Sequence, residues 1–257
     1  MTPAERTAEL TCVTCGAALG GPFCSQCGQK VRPERLTLRG VAEEAAQHVW
    51  SLDSGLLRTV VDLVRRPAGL VRDVFAGRTV RYAGPVRYFL IAVTIGQVLT
   101  LVVGGMESIA EGIVSARASG AAPARASDVA EAVRRYWVVA LAGGVPVVAL
   151  WSRLLLRRAG LTLAEHLTAW LYLLGQFVLV FGVATTVGEV LSRQTAGPLG
   201  YALSYAVLVA GVGLVLWASV GVFGQGRLWS PVAAALSVAL GYLFYGTGLA
   251  VVLAALG

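Results

Sequence analysis

The fold class that the sequence predicts is an all-α polytopic membrane protein with a small cysteine-bearing module at its N-terminus. Its 257 residues are 56% hydrophobic and only 14% charged, whereas about a quarter of the residues in an ordinary soluble domain are charged. Five apolar runs are long enough to cross a ~30 Å hydrocarbon layer as helices. We therefore divide the chain into an N-terminal module at 1–30, basic amphipathic helices at 31–85 and a transmembrane helical bundle at 86–257.

All four cysteines lie in the N-terminal module with the spacing of a tetrathiolate metal site. They form Cys12-Val-Thr-Cys15 and Cys24-Ser-Gln-Cys27, a C-x2-C-x8-C-x2-C pattern. Zn²⁺ takes four thiolates in tetrahedral geometry, and each C-x2-C turn can direct two sulfurs at one ion. Gly16 and Gly28 follow the two pairs, where a residue free to adopt positive φ lets the chain curl around the metal. Because so short a segment cannot fold on hydrophobic burial, the pattern predicts a zinc ribbon folded by a structural Zn²⁺.

Three alternatives to a structural zinc remain open for these cysteines. Two disulfides are disfavoured because a reducing cytoplasm keeps such thiols free. A hydrolytic zinc is disfavoured because four thiolates leave no coordination position for water. Nucleic-acid binding is less favoured, because Phe23 is the only aromatic residue of the module and only a few cations follow it.

Three short amphipathic helices are predicted around 38–49, 56–66 and 70–75, followed by a basic approach to the first apolar run. Between Arg58 and Arg87 there are seven arginines and two aspartates. Near an anionic leaflet each such cation contributes about 1 kcal/mol, so these helices are expected to lie on the membrane surface. The alternative is a small soluble helical domain with a solvated charged face. The predicted membrane-surface residues are Arg58, Arg65, Arg66, Arg72, Arg78, Arg81 and Arg87.

Several motifs of this N-terminal third resemble a group of bacterial membrane proteins known only as a domain of unknown function. The motifs are Phe23-Cys-Ser-Gln-Cys-Gly-Gln-Lys30, Leu52-Asp-Ser-Gly-Leu-Leu-Arg-Thr59, Arg66-Pro-Ala-Gly69, Gly77-Arg-Thr-Val-Arg-Tyr82 and Pro85-Val-Arg-Tyr88. The resemblance extends over residues 12–90 and again at Glu165-His166. It implies a short cytoplasmic zinc ribbon joined to several transmembrane helices. Because no activity is established for the family, it implies no catalytic residues.

The predicted transmembrane spans are 86–104, 136–156, 163–188, 199–222 and 231–256. With the N-terminus inside, the loops and tails on the two sides hold 16 and 5 Lys and Arg residues, which obeys the positive-inside rule. No apolar stretch occurs in the first 30 residues, so we expect no cleaved signal peptide and a cytoplasmic N-terminus. The expected location is therefore the bacterial inner membrane, with the C-terminus outside and 115–127 as a flexible external loop.

Glycine clusters interrupt three of the predicted spans. They are Gly143-Gly-Val-Pro146, Gly211-Val-Gly213 and Gly246-Thr-Gly248. They could mark hinges or unwound sites, but small residues more often let membrane helices pack closely, and we favour packing.

The third predicted span carries the candidate polar intramembrane site. Glu165, Tyr172 and Gln176 lie at i, i+7 and i+11 and share one helical stripe, which could carry protons or bind a polar solute. A local structural role competes with this one, because Thr162-Leu-Ala-Glu165 has the pattern of a capping box. His166 lies about 100° around the helix from Glu165 and is expected at the membrane interface.

The sequence contains no recognisable catalytic constellation. It has two histidines, no cysteine outside the ribbon, no G-x-S-x-G and no phosphate-binding glycine loop. We therefore expect a non-enzymatic membrane protein that displays its ribbon for assembly with another protein, contacts anionic headgroups and does not bind nucleic acid. The alternative is a small-solute or proton transporter or channel that uses the Glu165 stripe.

Overall fold

The computed structural model describes residues 11–30, 35–48, 55–102, 141–195 and 199–256. Within these ranges the regular structure is helical, without strands. The helices are α1 (Leu38–His48), α2 (Gly55–Arg65), α3 (Pro67–Phe75), α4 (Pro85–Val102), α5 (Leu141–Leu155), α6 (Leu163–Thr195), α7 (Leu199–Phe223) and α8 (Trp229–Leu256), with a 3₁₀ turn at Arg157–Ala159.

Three of these helices are long and apolar enough to cross a membrane. The qualifying segments are Leu163–Leu191 in α6, Tyr205–Phe223 in α7 and Trp229–Thr247 in α8. Shorter apolar stretches occur at Pro85–Leu101 and Leu141–Leu155. The predicted spans 86–104 and 136–156 continue into residues 103–140, which, like the predicted loop 115–127, lie outside the described residues. The all-helical membrane class is thus consistent with the structure, and the count of five spans stays a prediction.

Helix α6 forms the centre of the bundle. Its apolar window is 61% buried inside the protein, whereas the windows of α7 and α8 are each 28% buried. The outer helices expose large apolar side chains such as Tyr205, Val209 and Leu243. Because exposed apolar side chains are tolerated where lipid replaces water, α7 and α8 have the surface expected of lipid-facing helices.

Glycines allow the bundle helices to approach closely. A Cβ at Gly182 in α6 would lie 2.6 Å from the Cα of Gly96 in α4, so no side chain fits at this crossing. Gly143 and Gly144 in α5 lie directly against the rings of Tyr245 and Tyr242 in α8. Helix α5 continues through this glycine pair without interruption. Packing, which the sequence favoured over a hinge, therefore describes the Gly143-Gly144 cluster. At Gly213 and Gly246, in the other two predicted clusters, a Cβ would meet no atom within 4 Å.

The amphipathic segment packs against the same bundle. Leu63 of α2 and Leu70, Val71 and Val74 of α3 are buried in one core with residues of α4 and α6. Helix α2 ends at Arg65 because Pro67, the first residue of α3, has no N–H to donate. At Gly221 the backbone of α7 is so near α3 that a Cβ would lie 2.5 Å from that of Ala68. We call α2, α3 and the connection at residues 76–84 the platform.

One end of the bundle collects the ends of all five apolar helices beside the platform. His166, near the start of α6, lies 2.8 Å from Ser152, near the end of α5. Gln225, just after α7, donates to the carbonyl oxygen of Leu156, just after α5, at 2.7 Å. Tyr172 of α6 donates to the carbonyl oxygen of Ala83, just before α4, at 2.6 Å. Successive apolar helices therefore run in opposite directions.

Candidate metal centre

The ribbon consists of two turns with the same backbone hydrogen bonds, twelve residues apart. In residues 11–18 the Cys12 N–H donates to the Ala17 carbonyl oxygen and the Gly16 N–H donates to the Cys12 carbonyl oxygen, both at 2.8 Å. In residues 23–30 Cys24 donates to Gln29 and Gly28 donates to Cys24, both at 2.9 Å. Isolated β-bridges, Thr11 with Ala18 and Phe23 with Lys30, close the two turns. We call them the first and second knuckles.

A glycine at the same position of each knuckle reverses the chain. The φ angles of Gly16 and Gly28 are +75° and +71°, in the left-handed region that side chains disfavour. A Cβ at either position would meet no atom within 4 Å. The requirement for glycine is therefore conformational and not a matter of space, as the sequence predicts.

The four cysteine sulfurs form one compact group. The Sγ atoms of Cys12 and Cys27 are 3.5 Å apart, and those of Cys15 and Cys24 are 3.6 Å apart. All four Sγ atoms lie within 4.8 Å of one another. Tetrahedral Zn–S bonds of about 2.3 Å imply sulfur separations of about 3.8 Å, whereas disulfide sulfurs are bonded at about 2.05 Å. The four thiols are free, and their geometry fits a single tetrahedral metal ion.

Backbone N–H groups inside each knuckle favour the thiolate form of its first cysteine. Hydrogen bonds from the backbone of Cys15 and then Thr14 lower the pKa of Cys12 to about 6. Hydrogen bonds from the backbone of Cys27 and then Gln26 lower the pKa of Cys24. Since the thiolate is the form that binds a metal, the backbone of each knuckle favours the metal-binding form of its first cysteine.

The pKa of Cys27, the second cysteine of the second knuckle, is raised instead of lowered. The backbone N–H of Gln29 lowers the pKa of Cys27, but burial and hydrogen bonds with the other three sulfurs outweigh it and raise the pKa to about 12. Four thiolates this close repel one another. A divalent cation between them would remove that repulsion, so this donor set is suited to holding a metal ion.

Gln29 connects the second knuckle to the platform. Its Oε1 accepts hydrogen bonds from the backbone N–H groups of Thr79 and Val80, each at 3.1 Å, and from the hydroxyl of Thr14 at 3.1 Å. Its Nε2 donates to the Lys30 carbonyl oxygen at 2.9 Å. The side chain is buried, with 2% of the residue exposed. The ribbon is therefore docked on the connection before α4 and is not a separate module.

A family model matches most of the platform and does not match the ribbon. Residues 53–96 match a family model described as "Protein of unknown function (DUF3667)". The match covers α2, α3, the connection that Gln29 contacts and the first part of α4, and it does not reach the cysteines. No curated protein matches the chain, and no solved structure matches it.

A charged network stabilises the matched platform. Arg66 pairs with Asp62 at 2.7 Å and with Asp73 at 3.2 Å, and also donates to the Tyr82 hydroxyl at 2.5 Å. The hydrogen bond from Arg66 lowers the pKa of Asp62. Arg78 pairs with Asp73 at 3.2 Å and donates to the Val13 carbonyl oxygen in the first knuckle at 3.1 Å. Arg66 and Arg78, predicted as membrane-surface residues, are therefore also used in contacts within the protein.

The capping role of Glu165 is formed in the structure. The Glu165 N–H donates to the hydroxyl of Thr162 at 3.2 Å, and the Glu165 carboxylate accepts the Thr162 N–H at 2.7 Å, which is a complete capping box. Arg35 adds two further bonds to this carboxylate, at 3.0 and 2.5 Å, and Glu165 raises the pKa of Arg35. The carboxylate that the sequence offered as a candidate proton carrier is therefore engaged on both oxygens.

The other two residues of the predicted stripe connect α6 to the platform and to α4. The Tyr172 hydroxyl donates to the Ala83 carbonyl oxygen at 2.6 Å. The Tyr88 hydroxyl donates to the Oε1 of Gln176. The rings of Tyr88 and Tyr172 also contact each other, with centroids 5.6 Å apart. Glu165, Tyr172 and Gln176 do share one stripe, but the hydrogen bonds described for their side chains connect parts of the protein to one another.

His166, near the start of α6, is buried between helices, and its expected position at the membrane interface stays a prediction. Its ring stacks on Phe223 of α7, with centroids 5.2 Å apart, and its Nδ1 lies 2.8 Å from the Ser152 hydroxyl. The Nε2 is buried without a hydrogen-bond partner among the described residues. Sequence adjacency to Glu165 could not reveal this, because the pocket is made by α5 and α7.

The seven predicted membrane-surface arginines do not share one environment. Arg58, Arg65, Arg66, Arg72, Arg78 and Arg81 are exposed. Arg87, near the start of α4, is only 5% exposed. Residues that sequence reasoning missed are Gln29 and Arg35, whose partners lie 50 and 130 residues away. For Gln29 the available signal was the shared resemblance of the cysteine motif and of Gly77-Arg-Thr-Val-Arg-Tyr82, which contact each other.

Proposed function

We propose that the protein is a non-enzymatic integral membrane protein of the bacterial inner membrane, in which a structural Zn²⁺ folds a cytoplasmic ribbon that assembles with another protein. The observation that carries this proposal is the docking of the ribbon through Gln29. Docking fixes the position of the ribbon relative to the bundle, while Phe23 and Val13 stay 57% and 54% exposed. A fixed module with exposed apolar side chains is suited to recognition of a partner.

The donor set supports a structural role for the metal. Zn²⁺ bound by Cys12, Cys15, Cys24 and Cys27 would supply the folding energy that so small a segment lacks. With four thiolates present, no coordination position is left for a substrate or for water. The ribbon residues therefore act by holding a shape, and the backbone N–H groups that lower the pKa of Cys12 and Cys24 assist that role at neutral pH.

Five spans with a cytoplasmic N-terminus complete the proposal. The antiparallel order of α4 to α8 and the three long apolar helices support it, as does the excess of Lys and Arg on the ribbon side of the chain. A topology test uses Ser25→Cys, an exposed position in the ribbon, and a membrane-impermeant maleimide. We expect labelling only after the cells are permeabilised. Labelling of intact cells at this position contradicts the cytoplasmic orientation.

The assembly role is tested by photo-crosslinking in native membranes. A photoreactive amino acid at Phe23 is compared with the same group at Leu57, an exposed apolar residue of α2. We expect a discrete adduct from position 23 that is lost when Gln29 is also changed to Ala, although the metal is retained. An adduct that is unchanged by Gln29→Ala, or equal from both positions, contradicts recognition by a docked ribbon.

The transport alternative receives support from a separate cavity. A space of about 270 Å³ lies between α4, α5, α6, α7 and α8. Gln97 lines it and has a buried Oε1 without a hydrogen-bond partner among the described residues. Neither Glu165, Tyr172 nor Gln176 lines this cavity, so the cavity is separate from the predicted stripe.

Glu165→Gln separates a capping role from transport along the predicted stripe. If Glu165 serves as a cap, the variant lowers the melting temperature of the purified protein and leaves proton flux into liposomes unchanged. If it serves transport, flux is lost at an unchanged melting temperature. Thr162→Ala, which removes the other half of the capping box, provides the matched control for a loss of stability alone.

A further inference from the structure

An arginine-lined cleft lies where α2 and α3 meet α7 and the start of α8. Its volume is about 830 Å³, within the usual range for sites that bind small molecules. The arginines that line it are Arg65, Arg66, Arg72 and Arg227. None of the described residues that line it is acidic. The cleft therefore has the charge to attract an anion.

One of these four arginines is held in ion pairs within the described residues and the other three are not. Arg66 pairs with Asp62 and Asp73. Arg65, Arg72 and Arg227 form no ion pair with any residue that the structure describes. Arg72 donates its Nε to the Ala68 carbonyl oxygen at 3.2 Å, which fixes the guanidinium beside α7 while its terminal nitrogens remain available. Planar guanidinium groups of this kind bind phosphate oxygens with good geometry.

The depth of the cleft corresponds to the headgroup layer of a bilayer. The apolar window of α7, Tyr205–Phe223, has 19 residues and a length of about 28 Å, close to the ~30 Å of a hydrocarbon core. A terminal nitrogen of Arg72 comes within 4.0 Å of the Cβ position of Gly221, near the end of this window. Arg227 follows α7 directly. Both cations therefore lie at the boundary where lipid phosphates are found.

The other wall of the cleft is apolar and continues along the membrane-facing surface. It includes Leu216, Trp217, Val220 and Pro231, and Trp217 is 59% exposed. A ligand that contacts both walls must carry a phosphate next to hydrocarbon. On α2, Val61 lies four residues before Arg65 and is also exposed, so the same helix face combines an apolar and a cationic contact.

We propose that this cleft is a binding site for one anionic phospholipid, with its phosphate on Arg72 and Arg227 and its acyl chains along Trp217. Such a site differs from the diffuse attraction of basic helices to a charged surface, because Arg227 comes from a different part of the chain and joins the α3 arginine at one point. The site goes beyond the proposed assembly function and does not depend on the ribbon. A soluble phosphate compound shares the headgroup chemistry but offers nothing to the apolar wall.

Native mass spectrometry of the full-length protein titrated with phosphatidylglycerol tests the proposal. The cleft variant is Arg72→Gln with Arg227→Gln. The matched control is Arg58→Gln with Arg81→Gln, which removes the same charge from exposed arginines outside the cleft. We expect the cleft variant to bind the first lipid on the order of 30-fold more weakly, about fivefold for each guanidinium contact, and the control to bind it within about twofold.

Three outcomes overturn the proposal. The first is an equal loss in the cleft and control variants, which indicates diffuse attraction. The second is equal binding of phosphatidylcholine, which makes headgroup charge irrelevant. The third is displacement of the lipid by inorganic phosphate or glycerol 3-phosphate at equal concentration, which assigns the cleft to a soluble anion. If the double variant is poorly folded by its melting temperature, Arg227→Gln alone, in an exposed loop, is expected to weaken binding about fivefold and decides the question.

Discussion

The first and second knuckles have the same backbone hydrogen bonds and the same pair of cysteines, but only the second supplies a side chain that bonds the backbone of the platform. Position 17 of the first knuckle is alanine, and the corresponding position 29 of the second is glutamine. The alanine contributes only its carbonyl oxygen to its own turn, whereas the glutamine also accepts the N–H groups of Thr79 and Val80. The two knuckles therefore share their local fold, and a residue outside the set of four cysteines connects the ribbon to the platform.

The largest effect on this comparison is expected from the cysteines. Cys12→Ser and Cys24→Ser should each weaken metal binding by the whole ribbon, because the four sulfurs form one group shared between the two knuckles. Metal analysis of the purified protein should fall from about one equivalent to below about half for either variant. If one knuckle still binds metal after a cysteine of the other knuckle has been replaced, the result contradicts a shared ion.

Gln29→Ala should remove the side-chain contact by which only the second knuckle bonds the platform backbone, and it should leave metal binding unchanged. It leaves the N–H groups of Thr79 and Val80 without their acceptor, and a buried donor without a partner costs about 1–3 kcal/mol. We expect about 2–3 kcal/mol of lost docking free energy, measured as faster hydrogen exchange at residues 77–82. The control is Ala17→Gln in the first knuckle, with no expected change. Arg78→Ala, which removes a half-exposed contact to Val13, should cost less than about 1 kcal/mol.

Gly16→Ala and Gly28→Ala should have equal effects, because both change only a backbone preference. A residue with a side chain costs about 1–2 kcal/mol in the left-handed region, and no neighbouring atom adds a clash at either position. Metal affinity, measured by competition with a chelator, should fall by about 5- to 30-fold in each variant. A much larger loss at one of the two positions would show that the knuckles are not equivalent at the metal.

Acid should weaken the platform under the second knuckle by a small amount. The pKa of Asp62 is lower in the folded protein because Arg66 donates to it, so this contribution is fully present above the unfolded pKa of about 4 and is lost as the pH falls through the lower folded value. Because the network is partly exposed, we expect less than about 1 kcal/mol. Thermal melts at pH 6 and pH 3.5 measure it, and Asp62→Asn should reduce the difference.

Local patterns in the sequence predicted those features whose partners are also local. The C-x2-C spacing predicts the four-sulfur group, and Thr162 with Glu165 predicts the capping box, because both depend on a few consecutive residues. The glycines of the knuckles follow from the same local geometry. These parts of the fold and of the site are confirmed by the structure.

Features that depend on distant contacts could not be predicted in this way. Nothing near Gln29 identifies Thr79 as its partner, and nothing near Arg35 identifies Glu165. Charge counting treated Arg87 like the other arginines, although only helix packing decides which guanidinium group turns inward. The helical spacing of apolar residues and the composition likewise could not show that His166 would stack on Phe223 of a later helix.

The crossing of Gly96 and Gly182 has a consequence for the order in which parts of the protein are synthesised and then packed. The two glycines are separated by 86 residues, so at about 5–20 residues per second helix α4 leaves the ribosome roughly 4–17 s before its partner is made. Residues 11–83, by contrast, hold both sides of the Gln29 contact as soon as they are synthesised. The ribbon can therefore dock on its platform first, before α4 has the partner helix that carries Gly182.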